Sequence, residues 1–263
     1  MNNYVFAAEA VENNVKNINW NLHTLLVEKF GLGGTMTELY LMLAGVVLCI
    51  IIPYLIGSIN PAIIFSRLFF NEDIREHGSG NAGTTNALRT YGKRMAALIL
   101  FLDFLKAVIA VIIGSLILPN QMGGGAIAGI FVILGHSFPI YFKFKGGKGV
   151  ACLAGVVLVL SPISFAILIS LFAAIVAMSR FVSLASIMCV MLLPLIHNAF
   201  YPNKPWTTIA SIVIMLIVIF MHRENIKRLW AGKESKISFR KERTDKKADK
   251  AEEIAQEGTD GDN

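Results

Sequence analysis

Long runs of apolar residues alternate with short polar stretches from residue 39 to residue 221. A helix needs roughly 20 apolar residues to cross a bilayer, or fewer where neighbouring helices cover its ends. Seven runs are candidates for such crossings, and two of them are short. They are Leu39–Gly57, Met95–Leu118, Ala126–Phe142, Val150–Leu160, Ile163–Met178, Val182–Phe200 and Thr207–Met221. The pattern therefore predicts an all-α polytopic membrane helix bundle with about seven transmembrane helices.

Two further apolar patterns are too short or too one-sided to cross a membrane. The segment Asn60–Phe70 is expected to form a helix at the inner interface, and Pro61 suits its first turn, where a missing N–H costs nothing. Between Val11 and Leu25, apolar residues spaced by three and four predict an amphipathic helix. A solvated, mobile extension is the alternative for that region.

The chain divides by composition into three parts. Residues 1–38 contain acids and many Asn but no basic leader before an apolar run, which predicts a retained extracytoplasmic extension. Residues 39–229 form the predicted membrane domain. Residues 230–263 begin basic and end acidic with few aromatic residues, which predicts a largely disordered cytoplasmic tail. Its basic start is expected to rest against anionic lipid head groups.

Composition excludes a soluble globular protein. The mean hydropathy is +0.61, and only 16% of the residues are charged, whereas about a quarter are charged in soluble domains. Three cysteines lie inside apolar runs without the spacing of a disulfide or metal site. We therefore expect no metal and no cofactor. We attribute the net charge of +6 to the basic loops that set the membrane orientation, and not to nucleic acid binding.

The positions of Lys and Arg predict the orientation, because these residues collect in short cytoplasmic loops. Basic residues fill two loops between predicted spans, whereas the loop Pro119–Gly125 contains none. The two loops carry Arg67, Arg75, Arg89, Lys93 and Arg94, and Lys143, Lys145 and Lys148. Both loops are therefore predicted to be cytoplasmic. The tail is basic as well, and an odd number of crossings places it inside with the N-terminus outside.

Three polar segments lie against the ends of apolar runs on that predicted cytoplasmic side. The first polar segment is Ser79–Arg89, the second is Gly135–Gly149 and the third is His222–Arg228. All three are rich in glycine, amide, hydroxyl or cationic groups. We expect them to converge on one site at the water boundary of the bilayer. Their composition suits an anionic, phosphorylated small molecule.

The first polar segment combines glycines with hydroxyl, amide and guanidinium groups. Backbone N–H groups at glycine approach an anion closely, and the side chains can donate to it. The candidate functional residues are Ser79, Asn81, Gly83, Thr85, Asn86 and Arg89. A glycine-rich loop followed by a helix cap is the alternative explanation for the same residues.

The second polar segment interleaves lysines with glycines. Its candidate binding residues are His136, Lys143, Lys145, Gly146, Gly147 and Lys148. The spacing is not that of a nucleotide-binding P-loop, because Gly149 stands where Ser or Thr would hold magnesium, so ATP hydrolysis is disfavoured. A cytoplasmic loop that is basic only to set the membrane topology is the alternative. It would account for the lysines but not for the glycines. For His136, at the end of an apolar run, packing is the stronger alternative.

The third polar segment places His222 and Asn225 on one helical face, whereas Glu224 points elsewhere and is expected to anchor a basic neighbour. Inside the second predicted span, Asp103 and Lys106 are ionisable residues at membrane depth. Their three-residue spacing permits mutual neutralisation. We therefore expect a buried structural pair, with ligand contact or a proton relay as the alternatives.

The three polar segments resemble the motifs of the bacterial acyl-phosphate:glycerol-3-phosphate acyltransferases, the PlsY family. The matching stretches are Ser79-Gly-Asn-Ala-Gly, Gly135-His-Ser-Phe-Pro with Phe144-Lys-Gly-Gly-Lys-Gly, and His222-Arg-Glu-Asn-Ile. They occur in the expected order between about residues 57 and 229. The chain departs from a common form of the first motif because Ala82 stands where that form has Pro.

The resemblance implies roles for particular residues. Ser79 and Arg89 match an essential Ser and Arg, and His222 and Asn225 match an important His and Asn. The glycerol phosphate site is implied at Lys145, Gly146, Gly147 and Lys148, with His136 nearby. Glu224 matches a Glu linked to structural integrity.

The resemblance also implies a reaction. In that family a fatty acyl group passes from an acyl phosphate to the 1-hydroxyl of glycerol 3-phosphate, which gives lysophosphatidic acid and inorganic phosphate for phospholipid biosynthesis. The implied partners are these two substrates and membrane lipids, and protein partners stay open. The implied location is the bacterial inner membrane, with the active site facing the cytoplasm. A membrane transporter of an organic phosphate is the alternative, because it also uses broken spans and basic loops.

Overall fold

The computed structural model of the protein describes residues 22–29, 31–119 and 123–237. Within these residues the regular structure is entirely helical, which confirms the predicted all-α class. After a short helical turn at Leu22–Thr24 and Leu25–Lys29, the helices are α1 (Thr35–Ser58), α2 (Pro61–Phe70), α3 (Thr84–Thr90), α4 (Lys93–Ile117), α5 (Gly124–Ser137), α6 (Val150–Leu160), α7 (Pro162–Ser179), α8 (Val182–Phe200), α9 (Pro205–Met221) and α10 (Arg223–Trp230). Most of the predicted amphipathic helix, and the predicted tail after residue 237, lie outside the described residues.

Five stretches of the described chain are long and apolar enough to cross a membrane, namely Met36–Phe70, α4, Gly124–Phe142, α7 and α8. Helices α9 and α10 are long and apolar enough only when taken together, and they meet at a bend of 60°. Counted as one span, this pair is a sixth candidate. Helix α6 is apolar but has only 11 residues. The structure thus supports a multi-pass membrane protein. The predicted total of seven crossings and the orientation of the termini stay predictions.

Helices α1 and α2 follow each other almost without interruption. Ile59 and Asn60 separate them, and the side-chain oxygen of Asn60 accepts a hydrogen bond from Ile63 N at 3.2 Å. Pro61 occupies the first turn of α2, and one face of this helix is buried. The predicted helix within Asn60–Phe70 is therefore confirmed, whereas its placement at the membrane interface stays a prediction.

Helix α5 packs against α1 with their backbones in close contact. A Cβ at Gly57 would lie 2.2 Å from the carbonyl oxygen of Val132, and one at Gly135 would lie 2.2 Å from that of Tyr54. Only residues without a side chain allow backbones to approach so closely, as in many helix pairs in membranes. This contact fixes the start of the second polar segment against the end of α1.

The buried core lies between α4, α5, α6, α8 and α9. It contains Ala107, Ala110, Val111, Val132, Ile133, Cys152, Val156, Cys189, Val190, Ile214 and Val218. The three cysteines are free and buried, as expected for small core residues. Large apolar side chains such as Phe101, Leu195 and Leu216 are more than half exposed. Such an outer surface is expected of helices that face lipid.

Candidate functional site

A cavity of about 840 Å³ collects residues from all three polar segments. The polar residues on its wall include Ser79, Asn81, Gly83, Thr84, Thr85, Asn86, Arg89, His136, Lys148, His222 and Asn225. The rest of the wall is largely apolar and comes mainly from α6, α7 and α8. The three segments therefore converge, as their positions beside the apolar runs predicted.

Asn86 organises the loop of the first polar segment. Its Nδ2 donates to the carbonyl oxygens of Ile74 at 3.1 Å and His77 at 2.9 Å, and its Oδ1 accepts from Ser79 N at 2.8 Å. The side chain is buried, and each of its donor hydrogens has an acceptor in the loop. Asn86 thus shapes the loop that carries Ser79, and this use of its amide leaves no free hydrogen for a ligand.

The remaining candidates of the first polar segment lie around the start of α3. Gly83 precedes α3, and its carbonyl oxygen accepts from the N–H groups of Asn86 and Ala87. Arg89 is exposed in the last turn, where its Nη2 lies 3.4 Å from the carbonyl oxygen of Ser235. With Ser79, Asn81 and Thr85, these residues line the cavity.

Of the lysines in the second polar segment, Lys148 lies on the cavity wall, whereas Lys143 and Lys145 are exposed outside it. Lys148 is half-buried, and its Nζ donates to Asn225 Oδ1. Burial lowers the pKa of Lys148 to about 8, and the positive charges of Arg228 and Arg89 act in the same direction. Lys148 is therefore the lysine placed to meet a ligand in the cavity.

The glycines of the second polar segment pack the loop against the end of α5. Gly146 N donates to the carbonyl oxygen of Ser137, and Gly147 N donates to that of His136, both at 3.1 Å. A Cβ at Gly147 would lie 2.2 Å from His136 Nε2. Because these N–H groups already have acceptors, the two glycines serve close packing in this structure.

The predicted Asp103–Lys106 pair is present, and His136 joins it. Lys106 Nζ lies 2.7 Å from Asp103 Oδ1 and 3.1 Å from His136 Nδ1, and it also donates to the carbonyl oxygen of Ile59 at 2.6 Å. Two members of this network, Asp103 and His136, border the cavity. Their ligand atoms and Cys152 Sγ are close enough to share a cation. The Lys106 ammonium already supplies the positive charge there, so the residues do not fit a metal ion.

The 60° bend between α9 and α10 carries the third polar segment. His222 Nδ1 lies 2.8 Å from the carbonyl oxygen of Val218, and both His222 and Asn225 are buried on the cavity wall. Glu224 is exposed and pairs with Lys227 at 3.1 Å. It therefore points away from the cavity and anchors a basic neighbour, as helical spacing predicted.

Glu234 is a site residue that the sequence did not reveal. It belongs to the predicted tail, yet residues 231–237 follow α10 along the cavity, and Glu234, Ser235 and Ile237 line it. Ile237 N donates to the carbonyl oxygen of Arg180 at 2.8 Å, which fixes this stretch to the end of α7. Glu234 is the one acid between Glu224 and Glu242 in a basic stretch, and that isolated charge is the signal available from the sequence.

Arg75 joins the loop before the first polar segment to the second polar segment, although the sequence assigned it only to topology. Its Nη1 donates to the carbonyl oxygens of Phe142 at 2.9 Å and Lys145 at 3.1 Å. Asp73 holds the guanidinium through contacts of 2.9 and 2.7 Å. This hydrogen bonding with Arg75 keeps the pKa of Asp73 well below its usual range, so the ion pair persists at any physiological pH.

Comparison with protein families gives one consistent result. The family model described as glycerol-3-phosphate acyltransferase matches residues 47–232. A glycerol-3-phosphate acyltransferase of Thermoanaerobacter sp. (strain X514) is 45% identical over 196 residues, which cover 74% of this chain and 98% of the relative. A protein of the same name from Staphylococcus carnosus (strain TM300) is 38% identical over 205 residues, again covering 74% and 98%.

Comparison with solved structures agrees. The crystal structure of PlsY, an integral membrane glycerol 3-phosphate acyltransferase, in its glycerol 3-phosphate form matches with a TM-score of 0.69 and 36% identity. The match covers 73% of this chain and 96% of that protein. The lysophosphatidic acid form matches with a TM-score of 0.67 and 35% identity, covering 73% and 95%.

Proposed function

The chain belongs to the glycerol-3-phosphate acyltransferase family, and we propose that it transfers a fatty acyl group from an acyl phosphate to the 1-hydroxyl of glycerol 3-phosphate. The products are lysophosphatidic acid and inorganic phosphate, in phospholipid biosynthesis. The observation that carries this proposal is a cavity whose wall is polar and cationic at the three polar segments and apolar along α6 and α7. A phosphorylated head and a fatty chain need these two environments side by side.

Two cations of the cavity suit the two phosphorylated substrates. Lys148 has an ammonium group with three donor hydrogens, one of which goes to Asn225. We assign the phosphate of glycerol 3-phosphate to Lys148, in line with the family resemblance. Arg89 presents a planar guanidinium suited to bidentate contact with phosphate oxygens, and we assign it to the acyl phosphate.

The apolar part of the wall suits the fatty acyl chain. Leu153 and Val157 from α6 and Phe165, Leu168 and Phe172 from α7 line it. Burying each methylene of a chain stabilises binding by about 0.8 kcal/mol. The acyl carbonyl is then placed where the apolar wall meets the polar segments.

The reaction requires the protein mainly to position the substrates and to stabilise the developing charge, because phosphate is a good leaving group. The 1-hydroxyl oxygen attacks the acyl carbonyl carbon and forms the new ester bond. The tetrahedral oxyanion then collapses, and the carbonyl carbon's bond to the phosphate oxygen breaks. Ser79 and the second N–H of the Asn225 amide are the proposed donors to this oxyanion.

His222 is the proposed acceptor of the hydroxyl proton. The carbonyl oxygen of Val218 can only accept a hydrogen bond, so the contact at His222 Nδ1 places the ring hydrogen on that nitrogen. In the neutral ring, Nε2 is then unprotonated and able to take a proton. A phosphate oxygen of either substrate is the other base that the chemistry allows.

The names of the relatives support an acyltransferase and give no support to the transporter alternative. PlsY has been crystallised in a glycerol 3-phosphate form and a lysophosphatidic acid form. These are the acceptor substrate and the acylated product of the reaction proposed for this chain.

We place the site at the cytoplasmic face of a bacterial inner membrane. Arg89, Lys148 and Arg228 all line the polar part of the cavity, and such charge belongs on the cytoplasmic side. Single-cysteine labelling at the exposed Lys143 tests this placement, because the native cysteines are buried. An impermeant maleimide is expected to label Lys143→Cys in inverted vesicles and not in intact cells, and the reverse result contradicts the placement.

The activity is tested with purified protein, an acyl phosphate and glycerol 3-phosphate. We expect lysophosphatidic acid and inorganic phosphate to appear in equal amounts. Acyl-CoA and acylated acyl carrier protein are the control donors, and glycerol without phosphate is the control acceptor. Uptake of glycerol 3-phosphate into vesicles without acylation would contradict the proposal.

A further inference from the structure

Glu234 lies in the predicted tail, yet its side chain is hydrogen-bonded to several residues of the site. Its side chain is 7% exposed. Oε1 accepts from Ser183 Oγ at 2.8 Å and from Asn225 Nδ2 at 2.7 Å, and Oε2 accepts from Arg228 Nε at 2.8 Å. One carboxylate therefore joins the start of α8 to two positions on α10.

The contact with Glu234 fixes which way the Asn225 amide faces. An ionised carboxylate only accepts hydrogen bonds, so it must receive the NH₂ group of Asn225. The amide oxygen then faces the opposite way, and there it accepts from Lys148 Nζ. With the amide turned over, Asn225 would present N–H groups to an ammonium and an oxygen to a carboxylate, and both contacts would be repulsive.

Glu234 is also the acidic group in the charged surroundings of Lys148. The groups around Lys148 are Arg89 from α3, His222 at the end of α9, Arg228 from α10 and Glu234. Asp103 of α4 and His136 of α5, both paired with Lys106, border the same cavity. Arg228 and Arg89 lower the pKa of Lys148, and Glu234 raises it. Loss of the Glu234 charge therefore favours neutral Lys148.

We propose that Glu234 is a positioning residue for acyl transfer, which orients the amide of Asn225 and thereby holds a charged Lys148 towards the phosphate of glycerol 3-phosphate. This inference rests on the proposed function. Glu234 touches neither substrate in this arrangement and acts through Asn225, Arg228 and Lys148. The stretch after α10 is thus part of the active site.

The test is the pH dependence of kcat/KM for glycerol 3-phosphate in Glu234→Gln, because that ratio reports groups of the free enzyme. The neutral amide of Gln cannot make the charge-assisted hydrogen bonds that the Glu234 carboxylate makes, so kcat/KM is expected to fall about tenfold or more. The alkaline limb is expected to move to lower pH by roughly half a unit, because Lys148 has lost an opposing charge. Glu234→Asp keeps the carboxylate and is expected to return the limb towards its original position.

Glu38→Gln is the matched control. It removes the same charge from an exposed carboxylate in the first turn of α1, away from the cavity. We expect it to change neither kcat/KM for glycerol 3-phosphate nor the position of the alkaline limb. A merely structural role for Glu234 would lower the amount of folded enzyme and leave the pH profile in place. That result, or wild-type kinetics in Glu234→Gln, overturns the inference.

Ser183→Ala keeps the inference testable if Glu234→Gln does not fold. It removes one donor to Glu234 and leaves all charges in place, so the expected loss of kcat/KM is about threefold to tenfold. Wild-type kinetics in Ser183→Ala would contradict the positioning role. Failure of the proposed function is distinct, because the wild-type protein itself would then form no lysophosphatidic acid.

Discussion

Two lysines in the same molecule have opposite surroundings. Lys106, on α4, has three polar partners within 3.1 Å: Asp103 Oδ1, His136 Nδ1 and the carbonyl oxygen of Ile59. Lys148, in the second polar segment, has one hydrogen bond within the described residues, to Asn225. An ammonium group has three hydrogens to donate. Lys106 is therefore saturated by the protein, whereas Lys148 keeps two hydrogens for a ligand.

This comparison separates a charge that maintains the fold from one that performs the function. A buried ammonium without acceptors is costly, so a saturated one indicates a structural role. A half-buried ammonium with spare hydrogens beside a cavity is suited to an incoming anion. Lys106 is buried and Lys148 is half-buried, and the number of protein partners distinguishes the two lysines further. The following changes test that distinction.

Lys106→Met is expected to have the largest effect on stability. It leaves Asp103 buried without its counter-charge, which typically destabilises a protein by about 3–5 kcal/mol. The midpoint of thermal unfolding in detergent measures the change. The double variant Asp103→Asn/Lys106→Met removes both charges and is expected to recover most of the loss. An unchanged midpoint in the single variant would mean that the pair does not maintain the fold.

Asn225→Ala is expected to have the largest effect on turnover. The loss of one oxyanion donor typically lowers kcat by about a hundredfold to a thousandfold. Asn198→Ala changes an exposed amide on α8, and this control is expected to leave kcat unchanged. Wild-type turnover in Asn225→Ala would remove that residue from the mechanism.

Lys148→Ala is expected to act mainly on affinity. A hydrogen bond from a charged group contributes about 1.5–3 kcal/mol, so KM for glycerol 3-phosphate should rise roughly tenfold to a hundredfold. Lys145→Ala is the matched control from the same segment. Its side chain is exposed outside the cavity, and a change of about twofold or less is expected. A larger effect at Lys145 than at Lys148 would reverse the assignment.

The smallest expected effect is on pH dependence. The pKa of Lys148 is lowered to about 8 by burial, so its charged form is lost as the pH rises above that value. Phosphate binding needs the charged form, and kcat/KM should fall about tenfold per pH unit on the alkaline side. Lys148→Arg stays protonated throughout and is expected to abolish this limb. A limb that persists in Lys148→Arg belongs to another group.

The sequence predicted the features that depend on local pattern. Runs of apolar residues defined the helices, and polar residues at the ends of these runs defined the site. Spacing on one helix also separated His222 and Asn225 from Glu224, because residues three apart share a face. These features need no knowledge of how distant segments meet.

The sequence did not predict the features that depend on tertiary contacts. The three lysines of the second polar segment are equivalent in sequence, yet Lys143 and Phe144 adopt left-handed backbone conformations, and Lys148 alone among these lysines reaches the cavity. Arg75 and Glu234 have partners more than 40 residues away, at Lys145 and Ser183. No local periodicity indicates such partners.

Gly147 brings the two lysine environments into direct contact. Its N–H donates to the carbonyl oxygen of His136, and a side chain at position 147 would collide with the imidazole ring. That ring also contacts Lys106, while residue 148 follows immediately in the chain. A shift of the imidazole is therefore transmitted to the peptide that precedes Lys148. Substitutions among the buried ionic residues should therefore alter substrate affinity.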